Sequence, residues 1–109
     1  MTANQFRKLA LSLPETVESA HLSHPDFRFR NKIFATLGYP DERCGMIKLT
    51  AEQQKEILCA EPATFRPAAG AWGHRGGTVV VLAAASAARI RPLLRQAWEN
   101  IARTAGPTR

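Results

Sequence analysis

The chain has little that would serve as a covalent or membrane-borne scaffold. Its two cysteines, Cys44 and Cys59, stand 15 residues apart. They form no Cys-x-x-Cys pair and no Cys/His array at zinc-finger spacing, so neither a disulfide framework nor a zinc module is the expected source of stability. Both are expected to be buried or half-buried free thiols in a reducing compartment. No apolar run approaches the roughly 18–20 residues of a membrane-spanning helix. The longest, Thr78 to Ala88, is about half that length. The first helix candidate is amphipathic, with Arg7 and Lys8 in its middle, and lacks the apolar block of a secretory signal. A cytoplasmic location and no membrane partner are therefore expected. Low-complexity segments and internal repeats are also missing.

Acidic residues are scarce in one half only. Residues 1–61 hold eight basic and eight acidic side chains, whereas residues 62–109 hold seven arginines and a single acid, Glu99. The whole net charge of +6 thus sits in the C-terminal part, and all of it is arginine. Arginine donates in pairs from a planar fork, which suits phosphate and carboxylate. An anionic partner is expected, with nucleic acid foremost. The 109 residues, 45% hydrophobic and 22% charged, suit a single globular domain over 1–109.

Hydrophobic periodicity gives the elements. Thr2 and Gln5 form a capping box, and Phe6, Leu9, Ala10 and Leu13 recur on one helical face up to Pro14. Glu15–Ser23 reads as short and irregular or extended. Asp26-Phe27-Arg28-Phe29-Arg30 alternates, with both phenylalanines on one side and both arginines on the other. Asn31-Lys32 is the expected two-residue turn into a second strand over 33–37. Cys44–Leu49 reads as a third strand. Thr50-Ala51-Glu52-Gln53 is a second capping box, opening a surface helix that stops at Pro62. Phe65-Arg66-Pro67 reads as extended, Ala68–Gly77 as a glycine-rich loop, and Thr78–Leu82 as a strand covered on both faces or central in the sheet. A last helix runs to Thr104 with an apolar stripe of Ile90, Leu93, Leu94, Ala97, Trp98 and Ile101. Pro92 either lies inside it and kinks it or displaces its start toward Arg89. The expected fold is α+β, two-layered, with a mainly antiparallel sheet and packed helices.

No catalytic constellation emerges, and a non-enzymatic role without cofactor is expected. No serine sits in a G-x-S-x-G elbow. The glycines at 70, 73, 76 and 77 precede a strand, whereas a phosphate loop needs a helix after it. His21, His24 and His74 have no acidic residue arranged beside them, so no metal is expected. The better physical case is nucleic-acid binding. Arg28, Arg30 and Lys32 crowd the tip of the expected hairpin, and Arg66, Trp72, His74 and Arg75 bracket the glycine loop. Basic groups pair with phosphates, and an exposed Trp stacks on a base or sugar.

The order and spacing of several segments resemble the MmcQ/YjbR-like family of small bacterial proteins. These segments are Phe6–Pro14, His24-Pro25-Asp26-Phe27-Arg28, Lys32–Leu37, Lys48-Leu49-Thr50, Phe65-Arg66-Pro67, and Gly70-Ala71-Trp72-Gly73 with Thr78, Leu82 and Trp98. The resemblance spans about residues 5–101. It implies an α-β-β-β-α-β-β-α domain similar in topology to type III secretion chaperones, with DNA binding through a proposed double-wing arrangement. It supplies no catalytic residue. Relatives often carry an aromatic residue where Leu22 stands and another where Gly77 stands, so the resemblance implies phosphate contact here more than aromatic reading of bases.

Three functions are expected in order. The first is DNA binding of low sequence specificity, dominated by phosphates, through Arg28, Arg30, Lys32, Arg66, Trp72 and Arg75. The second is a chaperone-like protein-interaction module. The third is a small-molecule pocket near His21, His24, Trp72 and His74. The chain is expected to be a monomer or homodimer.

Overall fold

Both capping boxes form. In the computed structural model, which describes residues 1–104, Thr2 Oγ1 accepts the Gln5 backbone N–H at 3.1 Å and Gln5 Oε1 accepts that of Thr2 at 2.8 Å. They open helix α1, Ala3–Leu11. Thr50 and Gln53 do the same for helix α2, Ala51–Ala60. Two orphan N–H groups at each helix start are thereby satisfied.

Six strands form one antiparallel sheet. They are β1 Thr16–His21, β2 His24–Phe29, β3 Lys32–Leu37, β4 Cys44–Lys48, β5 Phe65–Pro67 and β6 Gly77–Val81. Their order across the sheet is β1-β2-β3-β4-β6-β5. Four helices pack on this sheet: α1, α2, the short α3 Gly70–His74 and the long α4 Ala87–Thr104, which a 3₁₀ turn at Leu82–Ala84 precedes. The fold is α+β, as expected. Arg109, one of the C-terminal arginines, lies outside the described residues.

Three details differ from the sequence reading, and a fourth is narrowed. Of the irregular and extended readings of 15–23, residues 16–21 take the extended one, as a full edge strand. Val17, Glu18, Ser19 and Ala20 are all exposed, so the strand carries no apolar alternation by which to recognise it. The turn into β3 falls on Arg30-Asn31, one residue earlier than Asn31-Lys32. Both turn residues take positive φ, 52° and 65°, and Leu22-Ser23 makes the same kind of turn between β1 and β2. The glycine loop contains α3. Cys59 is exposed, while Cys44 is buried.

Ser86 caps helix α4, its Oγ accepting the Arg89 N–H at 3.2 Å. It continues through Pro92, which faces solvent. Its stripe of Ile90, Leu93, Leu94, Ala97 and Ile101 is buried. These side chains join Phe6, Phe27, Phe29, Phe34, Ile47 and Val80 in the main core between helices and sheet. Trp98 is only half-buried. Its ring stacks on Phe29 with centroids 4.5 Å apart, and its Nε1 donates to Pro14 O at 3.0 Å. On the other sheet face a smaller cluster gathers Cys44, Met46, Ala68 and Val79 under Tyr39.

Candidate nucleic-acid interface

Strand alternation sends Asp26 and Arg28 to the face opposite Phe27. There they bind each other. Arg28 Nε donates to Asp26 Oδ1 at 2.8 Å and its Nη2 donates to Oδ2 at 3.1 Å. His21 Nδ1 lies 2.8 Å from the same Oδ2. Asp26 is fully buried. The Arg28 hydrogen bond holds its carboxyl below the usual carboxylate range; burial opposes this and His21 reinforces it. Arg28 is thus an intramolecular partner of a buried carboxylate. The two-residue spacing within one strand was the sequence cue for this pair. The His21 contact also corrects the reading that no acid stands beside the histidines. It comes from the β1–β2 hairpin, where His21 pairs with His24. Among the described residues no group of three or more His, Cys, Asp or Glu side chains is placed to hold a metal.

Arg30 occupies the hairpin turn with its guanidinium 4.8 Å from the Phe29 ring centroid. Lys32, the first residue of β3, is exposed at the same end of the sheet. Arg66 is elsewhere. It lies on β5, four strand spacings from β2, or about 19 Å at ~4.8 Å per strand. There it lines a separate depression with Asp41, Arg43 and Cys44. Arg43 is ion-paired to Asp41 at 3.3 Å, and burial pushes the Cys44 thiol up.

The structure assembles a different basic group. A cleft of about 350 Å³ opens where β3 begins and β4 ends. Lys32, Lys48 and Arg75 line it, together with Thr50 and Ala51 at the start of α2 and Asn100 and Thr104 near the end of α4. Among the described residues no carboxylate lines it. The positive end of the α2 dipole adds to the field of the three cations. Sequence reasoning supplied Lys32 and Arg75 but missed Lys48. The cue was available: Lys48 ends the Cys44–Met46–Lys48 alternation at the tip of a strand.

A buried glutamine fixes Arg75 and Trp72. Gln54 of α2 donates Nε2 to Gly73 O at 3.0 Å and to Gly77 O at 2.9 Å. The loop lies so close to its neighbours that a Cβ on Gly73 would come 1.8 Å from Ala68 O. Gly76, with φ of +108°, would put one 2.0 Å from Leu49 O. The glycines at 73 and 76 therefore let the loop press against the sheet. Trp72 stays 40% exposed, and Lys48 Nζ sits 5.7 Å from its ring centroid.

From Trp72 a groove of about 360 Å³ runs over the open face of the sheet, lined also by His21, Leu22, His24, Thr36, Tyr39, Met46 and Ala69. Three of the four residues expected around a pocket, His21, His24 and Trp72, thus come together, while His74 is exposed outside this lining. The exposed large apolar side chains, Leu11, Val17, Leu22 and Trp72, come from separate elements. No described helix is long and apolar enough to cross a membrane.

The same architecture occurs in solved structures. The crystal structure of Deinococcus radiodurans protein DR2400, with a DUF419 domain, matches with a TM-score of 0.78 at 17% identity, covering 98% of this chain and 83% of that one. A protein from Pseudomonas syringae matches with a TM-score of 0.70 at 16% identity, covering 92% of this chain and 98% of its own. At these identities the likeness is one of fold. No curated protein matches the chain. The YjbR family model matches residues 11–100, from the end of α1 through most of α4, and the chain belongs to the YjbR family.

Proposed function

We propose that this protein binds DNA with low sequence specificity, through phosphate contacts at the cleft between β3, β4 and α2, and that it acts by binding rather than catalysis. The observation that carries the reading is the convergence of Lys32, Lys48 and Arg75 around a concave surface with no carboxylate among the described residues that line it. Three cations held by separate elements at one end of a sheet make a fixed positive site, and phosphate is the anion that a duplex presents in regular series. Arg30 stands at the neighbouring turn, where it can reach a flanking phosphate. Arg28 contributes through Asp26 and the fold. Arg66 reaches toward Cys44, at the opposite end of β4 from Lys48, and so lies outside this cleft.

The test is a fluorescence-anisotropy titration of a labelled mixed-sequence duplex. Binding at about 20–50 mM salt is expected, weakening to the non-specific range of about 10⁻⁴–10⁻⁶ M at physiological salt, with little change between duplex sequences. No binding at the low salt, or binding to one sequence alone, would refute the reading.

A further inference from the structure

We infer that the groove on the open face of the sheet seats an unpaired nucleobase, so that this protein prefers single-stranded to double-stranded nucleic acid. The inference rests on the phosphate reading above and adds to it the strand type and the position of the base.

Trp72 lines the groove and touches the edge of the basic cleft through Lys48. Its ring lies beside Lys48 of the basic cleft, 5.7 Å from Nζ to centroid, and also lines the groove. A phosphate held by Lys48 therefore has an aromatic ring beside it on the groove side, which is how a nucleotide presents charge and base. The groove walls suit a flat heterocycle. Trp72 and Tyr39 supply aromatic surface, with His24 edge-on to Tyr39 at 6.3 Å, and Met46 supplies a soft, polarisable contact.

A second observation points to a polar ligand. Thr36, which lines the groove, is 2% exposed, and its Oγ1 has no hydrogen-bond partner. Buried hydroxyls are ordinarily partnered, and a base edge carries donors and acceptors that can meet this one. A base in a duplex is paired and stacked and cannot enter such a groove. A base in a single strand is free to do so, and its stacking on an aromatic side chain tolerates every base type.

The experiment compares oligo-dT of about 12 nucleotides, within the usual site sizes of ~4–16, with a duplex of the same length, by anisotropy at one salt concentration. The duplex carries twice the phosphates, so electrostatics alone favours it. The expected result is tighter binding of the single strand by about 10-fold. Trp72→Ala should abolish that preference, weakening the single strand far more than the duplex. Thr36→Val keeps the side-chain shape and should weaken the single strand alone, by about 2–10-fold. Equal binding of both forms, or a preference indifferent to both substitutions, overturns the inference and leaves the phosphate reading standing. Failure of both nucleic acids to bind overturns the two together.

Discussion

Asp26 and Arg28, two residues apart on β2, form a two-pronged ion pair at 2.8 and 3.1 Å, with the carboxylate fully buried. The pair turns an arginine with the sequence signature of a phosphate contact into a structural group. Such a pair is costly to break from either side, because the remaining charge is left without its partner.

The pair sets an acid limit on stability. Arg28 lowers the Asp26 pKa in the folded protein, and the unfolded chain releases that hold. A carboxylate with a depressed folded pKa stabilises the fold above its unfolded value, near about 4, and the contribution is lost as pH falls through the lowered value. Thermal melts should therefore show Tm falling with acid below about pH 4. Asp26→Asn should lower Tm at pH 7 by at least about 5 °C and shrink the acid-dependent drop. Equal acid sensitivity in wild type and variant would contradict this role.

Gln54 clamps the loop that carries Trp72 and Arg75. Replacing it with alanine removes two hydrogen bonds, one to each of the Gly73 and Gly77 carbonyls, which keep the Gly76 and Ala68 N–H groups, at a cost of about 1–3 kcal/mol in all. Chemical denaturation should show that loss. Nucleic-acid affinity should fall at the same time, although Gln54 itself is buried. Unchanged affinity would separate the loop from the binding surface.

Trp98 joins α4 to β2 and to the α1–β1 connection, stacking on Phe29 and donating to Pro14 O. Because it is half-buried rather than enclosed, Trp98→Ala should cost about 2–4 kcal/mol, less than the ~3–5 kcal/mol typical of a fully buried tryptophan. Trp98→Phe should recover the stacking but not the hydrogen bond. Equal destabilisation in both would assign the effect to the hydrogen bond alone.

These residues mark what was legible in the sequence. Capping residues and apolar stripes act locally, so Thr2, Thr50 and the buried face of α4 could be read directly. The run Thr78-Val79-Val80-Val81 was rightly expected at the sheet interior, and β6 lies between β4 and β5. The edge strand β1 was legible only as irregular or extended, because its exposed residues have no hydrophobic period. The site was legible only in part. Lys32 and Arg75 are 43 positions apart and meet Lys48 only through sheet order. Arg66 looks equivalent to Arg75 in the sequence, yet its side chain reaches toward Cys44, at the other end of β4 from Lys48. The role of Gln54 depends on two carbonyls supplied by a distant loop, and no spacing rule encodes it.

The salt dependence of duplex binding tests the central claim most directly. Each phosphate contact contributes about −0.9 to the slope of log K against log salt, so three to four contacts give about −3 to −4. The triple variant Lys32→Ala, Lys48→Ala, Arg75→Ala should flatten that slope by about 2–3. Arg66→Ala should leave it unchanged. A triple variant with the wild-type slope, or a slope that collapses with Arg66→Ala alone, would contradict the assignment of the phosphate site to this cleft.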